Sequence, residues 1–258
     1  MQSNMKNVII MGSGRSGTSM TAGILAQSGY FQGNYVLNKG RINNPFGNFE
    51  DQEVNFINEQ LLSQVIPGPV MVNGVLTHRD RPSDMQRWVG RVPVGTVIPP
   101  IMTYAENIKN LTSKQPFYFK DPRFSYTLPV WRPYLKNTVY VCVFRNPHKT
   151  AQSILKQIVD APYMNSMEMD FDMAMDVWVK MYSHILETHR HEGEWLFLHY
   201  DQALTDDGLD KLSAFTGASV NRDFPLKSLR RNYHDQPVPE EAAAIYAQLC
   251  ELAEFNTA

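Results

Sequence analysis

The chain has 258 residues, 43% hydrophobic and 19% charged, with a formal net charge of −2. That length buries a core without staples, two cysteines cannot make a disulfide framework, and the charge balance supplies no field for nucleic acid. No apolar run approaches the roughly 18–20 residues that span a bilayer, and MQSNMKNVIIMG reaches glycine too soon for a secretory leader, so the sequence reads as a soluble, cytoplasmic protein.

Asn7–Met11 is a short β-branched run ending at Gly12, the pattern of a buried parallel strand. A helix is predicted over Gly17–Gly29, with Met20, Ile24 and Leu25 on one face and Gly29 as its stop. Residues 30–49 are loop-like. Glu50–Gln64 repeats Val54, Ile57, Leu61 and Leu62 at helical spacing, whereas 65–84 is broken by Pro and Gly. Pro99–Leu111 holds a further helical pattern, and Phe117–Phe119 reads as a short strand running into Lys120-Asp121-Pro122-Arg123. Thr138–Phe144, TVYVCVF, is the clearest strand and ends at Arg145, after which Pro147 opens a helix. Phe171, Met175, Trp178, Tyr182, Ile185 and His189 form one stripe, expected to be core. Trp195–His199 is a strand, Asp206 to Phe215 a helix, and Pro239–Phe255 the C-terminal helix. Cys142 and Cys250 fall in packed elements and are expected to be buried and inert. Strands alternating with helices predict an α/β fold with a mostly parallel central sheet flanked by helices, in a single domain spanning 1–258.

The turn after the first strand, GSGRSGTS, fits three phosphate loops. Gly12, Gly14 and Gly17 match the dinucleotide fingerprint, but the following segment SGYFQGNYVLNKG has no acidic residue for a ribose. Gly12 and Gly17 match a Walker A frame, but Thr18 stands where a Lys must reach the β- and γ-phosphates. The third reading keeps the helix N-terminus and changes the anion. Backbone N–H groups from Ser16 to Ser19 point at it, the Ser16, Thr18 and Ser19 hydroxyls add donors, and Arg15 supplies a planar cation.

At these residues the chain resembles the bacterial sulfotransferases that use 3′-phosphoadenosine 5′-phosphosulfate (PAPS). GSGRSGTSMTAGIL is similar to that family's 5′-phosphosulfate loop, and VYVCVFRNPHKTAQSIL to its 3′-phosphate motif, with Arg145 and Ser153 eight residues apart. NPFGNFED, FKDPRFSYTLPVW and WLFLHYDQALTD resemble three further segments, in order. The resemblance implies a P-loop nucleotide-hydrolase-like architecture and transfer of a sulfuryl group from PAPS to a hydroxyl or amine, with release of adenosine 3′,5′-bisphosphate (PAP). The donor is then held by Gly14, Arg15, Ser16, Gly17, Thr18, Ser19, Arg145, Ser153 and Tyr200, with Tyr200 near the adenine and Arg15 stabilising the leaving phosphate. The family's His base is absent from Lys120-Asp121-Pro122-Arg123. Glu50 is the first candidate base, followed by Asp51 and then His78. Lys120, Asp121 and Arg123 line the site between donor and acceptor, or Asp121 and Arg123 form a structural ion pair at a strand end, and Lys227, Arg230 and Arg231 either close over the 3′-phosphate or face solvent. No metal is implied. The expected partner is a small-molecule, carbohydrate or lipid acceptor, whose pocket falls to residues 65–116 and 160–170, with no nucleic acid. Two rival readings are a P-loop kinase-like phosphotransferase using Mg-ATP and a non-catalytic anion-binding relative.

Overall fold

The computed structural model describes residues 5–37, 47–77, 80–224 and 236–256. Phe46, His78, Lys227, Arg230 and Arg231 lie outside them. Four parallel strands form the central sheet in the order β4-β1-β5-β6, where β1 is Asn7–Met11, β4 Tyr118–Lys120, β5 Thr138–Phe144 and β6 Glu194–His199. Val8 pairs with Tyr118 on one side and Val139 on the other, which puts β1 at the centre. A separate antiparallel hairpin, β2 (Val70–Val72) and β3 (Val75–Thr77), occupies the segment whose Pro and Gly hid any periodicity.

Strand alternation sorts the core into two layers. Ile9, Met11, Phe119, Cys142 and Phe144 face one way. They pack under α2 (Gln52–Ser63), α4 (Phe124–Trp131), α5 (Pro147–Asp160), α6 (Phe171–Ser183) and α8 (Glu240–Leu252). Val8, Ile10, Val139, Val141 and Val143 face the other way, under α1 (Thr18–Leu25) and α7 (Asp206–Thr216). The five β1 residues are all buried, and each large apolar side chain so placed contributes about 1.5–3 kcal/mol. Both cysteines are buried and unpaired. Among the described residues no helix is long and apolar enough to cross a membrane.

Most helices start and stop where the sequence put them. Asp51, Asn146, Asp170 and Thr205 cap α2, α5, α6 and α7 through their side chains. The 99–111 pattern resolves into a short 3-10 turn, Met102–Tyr104, and then α3, Ala105–Ser113. The predicted first helix is shorter than Gly17–Gly29: it ends at Leu25, and Gly29 turns at φ 92° in the connection beyond.

Helix α4 is not legible as a helix, because Pro129 sits inside it. A proline there cannot donate to the carbonyl four residues back. That carbonyl, Ser125 O, instead accepts from His189 Nε2 at 3.0 Å. The α6 stripe delivers His189 there by continuing through a wide turn, His184–His189.

Candidate active site

All four sheet strands end on the same edge, the carboxyl edge where open α/β sheets bind ligands. Each is followed closely by a residue singled out from the sequence: Arg15 after β1, Lys120 at the end of β4, Arg145 after β5 and Tyr200 after β6. A cavity of about 340 Å³ opens there, with Gly14, Arg15, Thr18, Ser19, Glu50, Lys120 and Arg123 in its wall.

The turn between β1 and α1 is shaped by what packs on it. Gly17 caps α1 at φ 99°, and a Cβ there would lie 2.6 Å from the Tyr200 ring. A Cβ on Gly14 would lie 2.6 Å from the Trp88 ring. The glycines therefore let two aromatic rings approach the backbone, a use that the spacing of the loop did not announce. Tyr182 anchors the turn to β5: its hydroxyl donates to Val143 O at 2.7 Å and accepts from Ser13 N at 3.1 Å.

No side chain caps the N-terminus of α1, so its first amides are directed to a partner from outside the helix. The Ser16 hydroxyl beside them is buried next to the Tyr182 hydroxyl. Uncapped amides at a helix start are the donor set that a phosphate or sulfate oxygen requires. The residues present thus fit the 5′ end of a phosphosulfate donor.

The two motifs that are far apart in sequence meet in space. Arg15, half-buried with φ 71°, donates from Nε to Ser153 Oγ at 3.2 Å. Arg145 is buried and lies 4.6 Å over the Tyr200 ring, a cation–π contact. Ser16, Gly17, Arg145, Ser153 and Tyr200 stand beside the cavity rather than in its wall. The sequence-named donor residues form one cluster with the cavity on its flank.

The two acidic candidates separate sharply. Asp51 is occupied: Oδ1 accepts from Glu53 N at 3.0 Å and Val54 N at 3.1 Å, and Oδ2 from Tyr35 N at 2.7 Å. Its carboxylate is a helix cap. Glu50, one residue earlier, turns into the cavity, where Oε1 pairs with Lys120 Nζ and Oε2 accepts from Asn55 Nδ2 at 2.8 Å. Burial alone would raise the Glu50 carboxyl, but the Lys120 ammonium, with Arg123 and Asn55, outweighs it and holds the group below the usual range. Glu50 is therefore held in its ionised form. Lys120 also donates to Ser19 Oγ at 3.1 Å, which ties Glu50 to the loop.

Asp121 and Arg123 form the structural pair, but in a larger cluster than the sequence suggested. Arg123 donates to Asp121 Oδ1 at 3.1 Å and to Glu59 Oε2 at 2.7 Å. Glu59 Oε1 accepts from Arg87 at 3.0 Å, and Asn58 donates to Asp121 Oδ2 at 3.0 Å. Burial disfavours a charged guanidinium, yet Asp121, Glu59 and Glu50 together raise the pKa of Arg123. Arg123 also reaches the cavity wall. Glu59, Arg87, Asn58, Asn55 and Trp88 were missed: on α2 they read as ordinary polar helix positions, and around Arg87 no periodicity exists. Among the described residues no group of three or more His, Cys, Asp or Glu side chains is placed to hold a metal ion.

The profile of the sulfotransferase domain family matches residues 5–236. Among solved structures, the chain is similar in fold to the sulfotransferase domain from the Synechococcus PCC 7002 olefin synthase. The TM-score is 0.53 at 15% identity, over 100% of this chain and 99% of that one. No curated protein matches the sequence significantly.

Proposed function

The chain belongs to the sulfotransferase domain family, and on that premise we propose that it moves a sulfuryl group from PAPS to a hydroxyl or amine of a small acceptor. In this reading residues 1–258 act as one domain and release PAP. When bound, the donor supplies an activated sulfuryl group on a phosphate leaving group.

The α1 amides, Ser16, Thr18 and Ser19 hold the 5′ end, Arg145 and Ser153 the 3′-phosphate, and Tyr200 the adenine. Glu50 accepts the acceptor's hydroxyl proton as that oxygen bonds to sulfur. Arg15 and the α1 amides meet the charge left on the phosphate oxygen as its bond to sulfur breaks. Ser153 orients Arg15 for this task, and Lys120 keeps Glu50 ionised. The two unpaired cysteines suit a reducing, cytoplasmic setting.

The observation that carries the reading is the bond from Arg15 to Ser153, which joins the loop to the second phosphate motif over an uncapped helix start. Thermal shift tests it. Stabilisation by PAP without magnesium is expected; stabilisation only by Mg-ATP assigns a kinase instead. PAP binding with no sulfuryl release to any acceptor leaves a non-catalytic anion binder.

A further inference from the structure

The cavity wall divides by chemistry. Its charged groups are Arg15, Glu50, Lys120 and Arg123, and its apolar groups are Leu37, Met85, Trp88, Pro122 and Tyr163. Each cation there has a countercharge or an assigned anion. Lys120 pairs with Glu50, Arg123 with Glu59 and Asp121, and Arg15 stands at the donor's phosphate. Glu50, the one carboxylate of the wall among the described residues, is already engaged by Lys120 and Asn55. An acceptor carrying its own charge would bury it without a partner, a loss of roughly a hundredfold in affinity.

Two oxygens in the same wall lack what they need. Asn55 is buried, and its Nδ2 is directed to Glu50, which fixes Oδ1 as the other end of the amide; Oδ1 has no hydrogen-bond partner. Gln157 Oε1, also buried, has none either. Both residues line the cavity. Buried carbonyl oxygens without donors are satisfied by a ligand that brings donors.

We propose that the acceptor is a neutral molecule with an apolar body that carries, besides the hydroxyl to be sulfated, a second O–H or N–H donor received by Asn55 Oδ1 or Gln157 Oε1. Leu37, Met85, Trp88, Pro122 and Tyr163 take the apolar body, and Asn55 sets the second donor beside Glu50. This rests on the sulfuryl-transfer reading.

The test measures binding of four matched probes to PAP-loaded protein by calorimetry: naphthol, dihydroxynaphthalene, hydroxynaphthoic acid and aminomethylnaphthol. The diol is expected to bind about tenfold more tightly than naphthol, and both more tightly than the charged probes. Asn55→Leu or Gln157→Leu should shrink the diol's advantage toward unity while PAP affinity stays unchanged. Equal or tighter binding of the acid or amine, binding of none of the four, or an undiminished diol advantage in both variants overturns the proposal. Failure of PAP itself to bind overturns the parent reading instead, and is seen before any probe is added.

Discussion

At the carboxyl edge of the sheet, Arg15, Lys120, Arg145 and Tyr200 each sit at or within four residues of the end of a parallel strand. Leu37, Met85, Trp88 and Tyr163, in the cavity wall, come instead from segments between helices, far along the chain from any strand end of that sheet, and Trp88 packs back onto Gly14 of the turn. Parallel strands in register deliver their carboxyl ends to one edge, so a residue's distance from a strand places it. Long connections carry no such ruler, and their side chains are placed by burial and by ion pairs with distant helices. The strand-end residues are thus placed by local turns, whereas the wall around Arg123 and Trp88 is tied to the Glu59–Arg123–Asp121–Arg87 cluster.

The sharpest way to break this division is at its seam. Glu50→Gln is expected to lower turnover by about 10²–10⁴-fold with PAP affinity intact; a variant with normal kcat would remove Glu50 as the base. On the acceptor side, Glu59→Gln leaves Arg87 and Arg123 under-compensated in the interior. Chemical denaturation should show a loss of about 3–5 kcal/mol, and a loss below about 1 kcal/mol would mean that the cluster does not hold the wall. On the donor side, Arg15→Ala should cost about 10²–10³-fold in kcat with little change in stability. Near-normal turnover there would sink the leaving-group role.

Acid should act on α4, whose Ser125 carbonyl His189 holds. Burial holds His189 down to about 4 from 6.5, against the opposing pull of its bond to Ser125. Below pH 6.5 the unfolded chain takes up a proton that the folded chain refuses, so stability falls with pH and the loss is complete below about 4. The full effect is on the order of 3 kcal/mol. Denaturation midpoints measured across that window check it, and His189→Gln should flatten the slope.

The sheet strands, the glycine turn after β1 and the helix opened by Pro147 were legible because each is set by a few consecutive residues: a β-branched run, a stop, a helix start. Helix α4 was not, since Pro129 reads as a breaker until His189, from another helix, takes the carbonyl that the proline leaves unpaired.

Adjacent carboxylates show the limit most clearly. The sequence by itself determined the sheet, the order of its strands along the chain, and that Glu50 and Asp51 stand at a helix start. Only the tertiary structure gave them different partners. Asp51 reaches the backbone amides that begin α2, while Glu50 meets Lys120, a residue delivered by a strand 70 positions away. Capping is a local bond that any N-cap carboxylate can make; a buried charge needs a partner that only the fold brings to it.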